Sequence, residues 1–177
     1  MFNAKTNYAK IAFETILFYV STGQIRKKDE NKISADLKLK RACVVSIYDS
    51  NQNLRGCMGD PFPQKSNLYD EIIENSIAAA SKDTRYEPLQ KDELNQIKVA
   101  VDVVSIPKKA DNFKDVKPQK HGLYVTDKEG NSGFIMPGTK GIKTTDQLIK
   151  AVKKSAGLED KEHKNLAFMI FKTARYE

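Results

Sequence analysis

This sequence predicts an α+β fold with a mainly antiparallel sheet and flanking helices, and three observations carry the prediction. Two pairs of strand-like runs, residues 42–48 with 54–58 and 123–126 with 132–136, are joined by short polar turns of hairpin length. Amphipathic helical runs are few and lie apart from one another in the chain. A composition of 40% hydrophobic and 30% charged residues over 177 positions fits one globular domain, able to bury about 70% of its unfolded surface without a disulfide or metal.

The elements follow in order. Residues 7–22 read as a helix because Ala9, Ala12, Phe13, Ile16, Leu17 and Val20 recur at three- and four-residue steps, and Gly23 is a natural stop. Residues 26–40 are charged, with only Ile33, Leu37 and Leu39 as apolar anchors, and read as a surface loop. Residues 42–48 are rich in β-branched side chains and read as a strand returning through the turn 49–53 into 54–58. Ser66 or Asn67 caps a second helix running to about Lys82, whose first turn holds Asp70 and Glu71 where carboxylates suit the positive helix end. Residues 98–106 form the strongest strand, Val99, Val101 and Val103 alternating with Ala100, Asp102 and Val104 until Pro107 ends it. After the second hairpin, Thr144 and Gln147 make a capping-box pattern for a helix through Leu148, Ile149 and Val152 to Gly157, and 166–173 reads as a last strand.

Composition also excludes. There is no apolar run near 18 residues and no basic-then-apolar start, so membrane spanning and secretion are not expected. Cys43 and Cys57 cannot build a disulfide framework and fit a reducing cytoplasm. With His121 and His163 they give no metal-ligand spacing, and no cofactor motif is read. The net charge of +7 hints at an anionic partner, but the lysines are spread along the chain, so nucleic acid is only weakly indicated. Arginine is scarce: Arg26, Arg41, Arg55, Arg85 and Arg175 are candidates for planar bidentate bonding that lysine cannot supply.

Three stretches carry candidate chemistry. Leu54-Arg55-Gly56-Cys57-Met58-Gly59 sets a cysteine between glycines at a strand end, where a neighbouring arginine could lower the thiol pKa. The plainer use of that cysteine is to fill space beneath a tight turn. Asp83-Thr84-Arg85-Tyr86-Glu87-Pro88-Leu89 follows the second helix, and its Asp83–Arg85 pair either binds a ligand or clips the loop to the helix end. His121-Gly122-Leu123 opens a strand with a histidine that is either hydrogen-bonded structure or a general base.

Together these stretches resemble the AMMECR domain family, known in prokaryotes as AmmeMemoRadiSam system protein A: Leu54 to Gly59 is similar to its Leu-Arg-Gly-Cys-Ile-Gly, Asp83 to Leu89 to its Asp-x-Arg-Phe-x-Pro-Leu, and His121-Gly122-Leu123 to its His-Gly-Leu. Cys43-Val44-Val45-Ser46, Gly133-Phe134-Ile135-Met136-Pro137 and the stretch from Lys153 to Leu158 add further likenesses, in family order, across about 42–158. The sequence departs from the family after Met136-Pro137, where Gly138-Thr139-Lys140-Gly141-Ile142 stands, and at Val101-Asp102-Val103-Val104. The resemblance implies one AMMECR-type domain over residues 1–177, with a larger and a smaller lobe around a central sheet. It also implies association with Memo-type and radical SAM proteins, and it supplies no reaction.

The first functional expectation is therefore a cysteine-containing enzyme, or a small-molecule-handling subunit, acting on an anionic substrate. Cys57 and His121 are its catalytic candidates; Arg55, Gly56, Gly59, Asp83 and Arg85 are its substrate-binding candidates, all expected to converge. The alternative is a non-catalytic module binding RNA, a nucleotide or a protein partner. Hairpin register adds a structural expectation: with Asp49 opposite Gln52, Ile47 faces Leu54, Val45 faces Gly56 and Cys43 faces Met58. That leaves Cys57 opposite Val44 and Arg55 opposite Ser46 on the other face, with Cys43 buried and no disulfide.

Overall fold

The computed structural model describes residues 2–25, 33–110 and 112–177. In chain order the elements are α1 (Asn7–Thr22), β1 (Cys43–Tyr48), β2 (Leu54–Gly59), α2 (Leu68–Ser81), β3 (Lys98–Val104), β4 (Lys108–Lys109), β5 (Gly122–Thr126), β6 (Ser132–Ile135), α3 (Thr145–Ser155), β7 (Ala167–Phe171) and β8 (Thr173–Tyr176). The strands form two four-stranded sheets, in the orders β2-β1-β3-β8 and β4-β7-β5-β6, where the sequence had suggested one. The chain divides into two compact units, Met1–Val103 with Ala174–Glu177, and Val104–Thr173. Among the described residues no helix is long and apolar enough to cross a membrane.

In the first unit, α1 starts where the Thr6 hydroxyl accepts the Ala9 N–H and ends at Gly23, as its periodicity predicts. Asn67 caps α2 by accepting the Asp70 N–H at 2.9 Å. β1 pairs antiparallel with β3 so that Cys43 meets Val103, Val45 meets Val101 and Ile47 meets Val99. Those six side chains pack with Ala12, Ile16, Leu68, Ile72 and Ala79 into one core. Each buried aliphatic side chain contributes about 1.5–3 kcal/mol relative to exposure, and this sets the core face. Val44, Ser46, Ala100 and Asp102, on the opposite face of the same two strands, are buried as well. Of the expected loop, residues 26–32 lie outside the described residues, while Leu37 is fully buried on a short 3-10 turn, Ala35–Lys38.

The β1–β2 register differs from the expected one by two residues. Val45 faces Met58, Ser46 faces Cys57, Ile47 faces Gly56 and Tyr48 faces Leu54, with an irregularity between Ile47 and Tyr48. The turn explains the difference. Asn53, not Gln52, closes it, its carbonyl accepting the Asp49 N–H at 2.9 Å. The extra turn residue moves Tyr48's partner one place, to Leu54, and the irregularity makes the shift two places from Ile47 onward, so Leu54 no longer faces Ile47. Because side chains alternate with period two, that shift keeps Cys43, Val45, Ile47, Gly56 and Met58 on the core face and Cys57 on the other. Cys43 and Cys57 do not pair, and both are free.

In the second unit, α3 opens with the capping box: the Thr144 hydroxyl accepts the Gln147 N–H at 3.2 Å and the Gln147 side chain accepts the Thr144 N–H at 3.1 Å. Leu148, Ile149 and Val152 pack against Leu123, Val125 and Phe168 of β5 and β7. The single strand expected over 166–173 is two, β7 and β8, interrupted at Lys172. The hairpin turns 49–53 and 127–131 share one design. In each, the aspartate Oδ1 accepts the N–H groups two and four residues on, and its Oδ2 accepts the side-chain amide of the closing asparagine. The fourth residue takes a left-handed conformation in both, Gln52 at φ 64° and Gly130 at φ 91°.

Candidate functional site

The signature in β2 is built around an outer edge. β2 borders only β1, and Ser46 and Cys57 face each other across that pair, so the Cys57 N–H and C=O point away from the sheet. Asp83, just past the end of α2, takes the N–H: its Oδ2 accepts from Cys57 N at 2.8 Å. Arg85 reaches the carbonyl, its Nη2 lying 3.4 Å from Cys57 O. The two side chains also hold one another, Arg85 Nε donating to Oδ1 at 2.9 Å and Nη2 to Oδ2 at 2.7 Å. The Arg85 backbone N–H adds a bond to Oδ1 at 3.1 Å. Asp83 is buried, and the Arg85 hydrogen bonds hold its carboxyl below the usual carboxylate range against the opposing effect of burial. The same bonds hold the guanidinium above its ordinary value. The Arg85 side chain is 57% exposed and lies over the Tyr86 ring at 5.6 Å.

Arg55 is occupied elsewhere. Its Nε and Nη2 grip both oxygens of Glu93 at 2.6 and 2.9 Å, and Nη1 donates to the Glu87 carbonyl at 2.9 Å. All three guanidinium nitrogens thus tie β2 to the loop after Asp83. The glycines are accounted for in the same way. A Cβ on Gly56 would stand 2.2 Å from the Ala79 carbonyl oxygen of α2, and one on Gly59, at φ 153°, would stand 2.3 Å from the Cys43 carbonyl oxygen. Their bareness lets the protein's own backbone approach closely.

Cys57 has the Ser46 hydroxyl 3.4 Å from its sulfur. Burial pushes its thiol up, outweighing the Ser46 bond and the Arg85 charge; Asp83 and Asp102 push it the same way as burial. The lowered thiol pKa expected from a neighbouring arginine is therefore not found. Cys43 is completely buried in the core and its thiol is pushed up to about 12. His121 belongs to the second unit. Its Nδ1 accepts the Lys117 N–H at 3.0 Å, and burial together with Lys172, Lys117 and Lys120 lowers its pKa. A histidine held neutral in this way is a weak base.

Sequence reasoning missed three contributors, Glu93, Ser46 and Asp102, and gave the candidate arginine Arg175 no partner. Asp102 is 5% exposed, held up by burial against the opposing charge of Arg175, whose Nη1 is 3.6 Å away. Its signal was legible as the one carboxylate inside an apolar strand. Arg175 also donates to the Tyr48 hydroxyl at 2.5 Å, and both line a cavity of about 480 Å³ with Phe2, Gln52, Lys98 and Glu177. Among the described residues no group of three or more His, Cys, Asp or Glu side chains is arranged to hold a metal.

Among the described residues, three helices, two antiparallel sheets and a cysteine signature locked to an Asp-x-Arg loop define a class of α+β protein. The AMMECR1 family model matches residues 9–176, and the chain belongs to that family. A protein of Thermotoga maritima is 33% identical over 153 residues, covering 86% of this chain and 87% of that protein. A Clostridium acetobutylicum protein is 31% identical over 159 residues; the match covers 89% of this chain but 33% of that longer protein. The crystal structure of an uncharacterized protein from Pyrococcus horikoshii has the same fold, with a TM-score of 0.84 at 22% identity, covering 95% of this chain and 88% of that one.

Proposed function

We propose that this AMMECR1 domain is a binding module for a small anionic molecule rather than a thiol-dependent enzyme. One observation carries the reading. The groups that would activate Cys57 are already spent on each other: Asp83 accepts from Cys57 N and three times from Arg85, and the half-buried thiol, its pKa pushed up, keeps its proton. What remains on offer is Nη1 of the Arg85 guanidinium, which is braced flat by Asp83 and backed by Tyr86. Such a charged, fixed donor suits an oxygen of a carboxylate or phosphate. A second reading puts the same ligand class in the cavity beside Lys98 and Arg175, whose volume falls in the range of small-molecule sites. Memo-type and radical SAM proteins, implied by the family resemblance, are the proposed recipients or suppliers of the ligand.

Alkylation tests the first half. In the native protein at pH 7, iodoacetamide should label Cys57 more slowly than it labels glutathione, and unfolding in urea should restore the ordinary rate. Labelling faster than glutathione would return the nucleophile reading. A thermal-shift screen of small carboxylates and phosphates tests the second half. A stabilising hit lost in Arg85→Lys supports the braced donor, one lost instead in Lys98→Gln moves the ligand to the cavity, and no hit at all rejects the binding reading.

A further inference from the structure

The chain's charge is unevenly shared. Val104–Thr173 contains 14 lysines, no arginine and 8 acidic residues, so this unit carries +6 of the net +7. Part of that charge meets at one corner. Lys117 and Lys120 lie in the turn before β5, and Lys172 follows β7, whose Phe171 pairs with Gly122 beside His121. All three lysines are exposed, and among the described residues none has a carboxylate within ion-pair distance. Their charges all act on the His121 imidazole.

The corner is rigid. The Lys117 carbonyl accepts the N–H groups of both Lys120 and His121 at 2.8 Å, and Gly138 N donates to Pro118 O at 2.8 Å. Gln119 bonds the Ile142 carbonyl at 3.1 Å, and Lys172 exchanges two bonds of 2.9 Å with Ser105. The Lys117 N–H on Nδ1 also decides the histidine's tautomer: the neutral ring carries its hydrogen on Nε2. His121 thus presents a fixed donor among three ammonium groups without needing a charge of its own.

From this juxtaposition we infer that the Lys117–Lys120–His121–Lys172 corner is a docking site for the phosphate backbone of nucleic acid. Ammonium groups act on phosphates as point charges, and with no arginine in the unit the contact is made by charge alone, without the paired geometry of a guanidinium fork. The contact carries no base readout, so binding is independent of sequence and falls steeply with salt. This site lies in the second unit and stands or falls separately from the Arg85 reading.

Fluorescence anisotropy of the full chain with a fluorescein-labelled oligouridylate tests it. The Lys117→Gln, Lys120→Gln, Lys172→Gln triple variant should weaken binding about tenfold at about 50 mM salt and lower the salt slope by about 2, as three single-strand phosphate contacts require. A control, Lys5→Gln, Lys38→Gln, Lys91→Gln, removes equal charge from exposed positions of the first unit and should weaken binding less than about threefold, since screening confines each charge to its neighbourhood. Circular dichroism of both variants checks folding, and with exposed side chains replaced both should match the parent. No binding by the parent chain, equal losses in the two triple variants, or displacement of the oligonucleotide by polyglutamate at equal charge concentration would each overturn the assignment.

Discussion

Replacing Asp83 with asparagine isolates the lock on β2, because shape is kept while the carboxylate is lost. Asp83 receives four donors: Cys57 N at 2.8 Å, Arg85 N at 3.1 Å, Arg85 Nε at 2.9 Å and Arg85 Nη2 at 2.7 Å. An asparagine oxygen can serve one side of that set, and its amide then turns a donor toward donors. The half-exposed Arg85 contacts are solvent-screened, so the ion pair itself contributes about 0.5–1 kcal/mol. The part-buried Cys57 N–H, left with a poorer acceptor, adds about 1–2 kcal/mol. We expect a total loss of about 1.5–3 kcal/mol at pH 7, read as a lower urea midpoint at unchanged m. The sign with pH follows from the depressed Asp83 pKa. Its contribution is full above the unfolded aspartate value of about 3.9 and is lost as pH falls through the lower folded value. Wild-type and variant midpoints should therefore converge below about pH 4. A difference that stays constant into that acid range, or a loss under about 0.5 kcal/mol at pH 7, would refute the lock.

Two further substitutions test the backbone arguments. Gln52→Gly should stabilise by about 0.5–1 kcal/mol in thermal unfolding, since the left-handed φ of 64° costs a side-chain-bearing residue about 1–2 kcal/mol and glycine's greater unfolded freedom takes back part of the gain. Gly56→Ala should cost about 1–3 kcal/mol in urea melts, because its Cβ cannot occupy a point 2.2 Å from the Ala79 carbonyl oxygen unless α2 moves.

Local signals were readable wherever one chain segment decides the outcome. The α1 periodicity ended at its proper glycine, Asn67 capped α2, and Thr144 with Gln147 opened α3. Faces were also readable: Cys43 inside and Cys57 on the other side follow from period-two alternation, which a two-residue register error leaves intact. Exact partners were not, since they hang on whether Gln52 or Asn53 closes a turn, a difference of one residue in a polar run. The two sheets were hidden because the break at Lys172 interrupts a continuous strand-like run. The site was half legible. Asp83 and Arg85 do act together, on the backbone of Cys57. Arg55's partner Glu93 lies 38 residues away and no local pattern announces it. The charge asymmetry was concealed as well, because 14 of the 25 lysines fall within the 70 residues of Val104–Thr173 without forming a block.

The Asp83–Arg85 clasp has a consequence for how this protein can meet others. A bare outer strand invites another chain to lie alongside and extend the sheet, the route to both β-augmentation and fibrillar aggregation. At Cys57 that invitation is withdrawn, because a carboxylate and a guanidinium already occupy the donor and acceptor an incoming strand would need. A signature that performs this service marks an architecture made safe at its border.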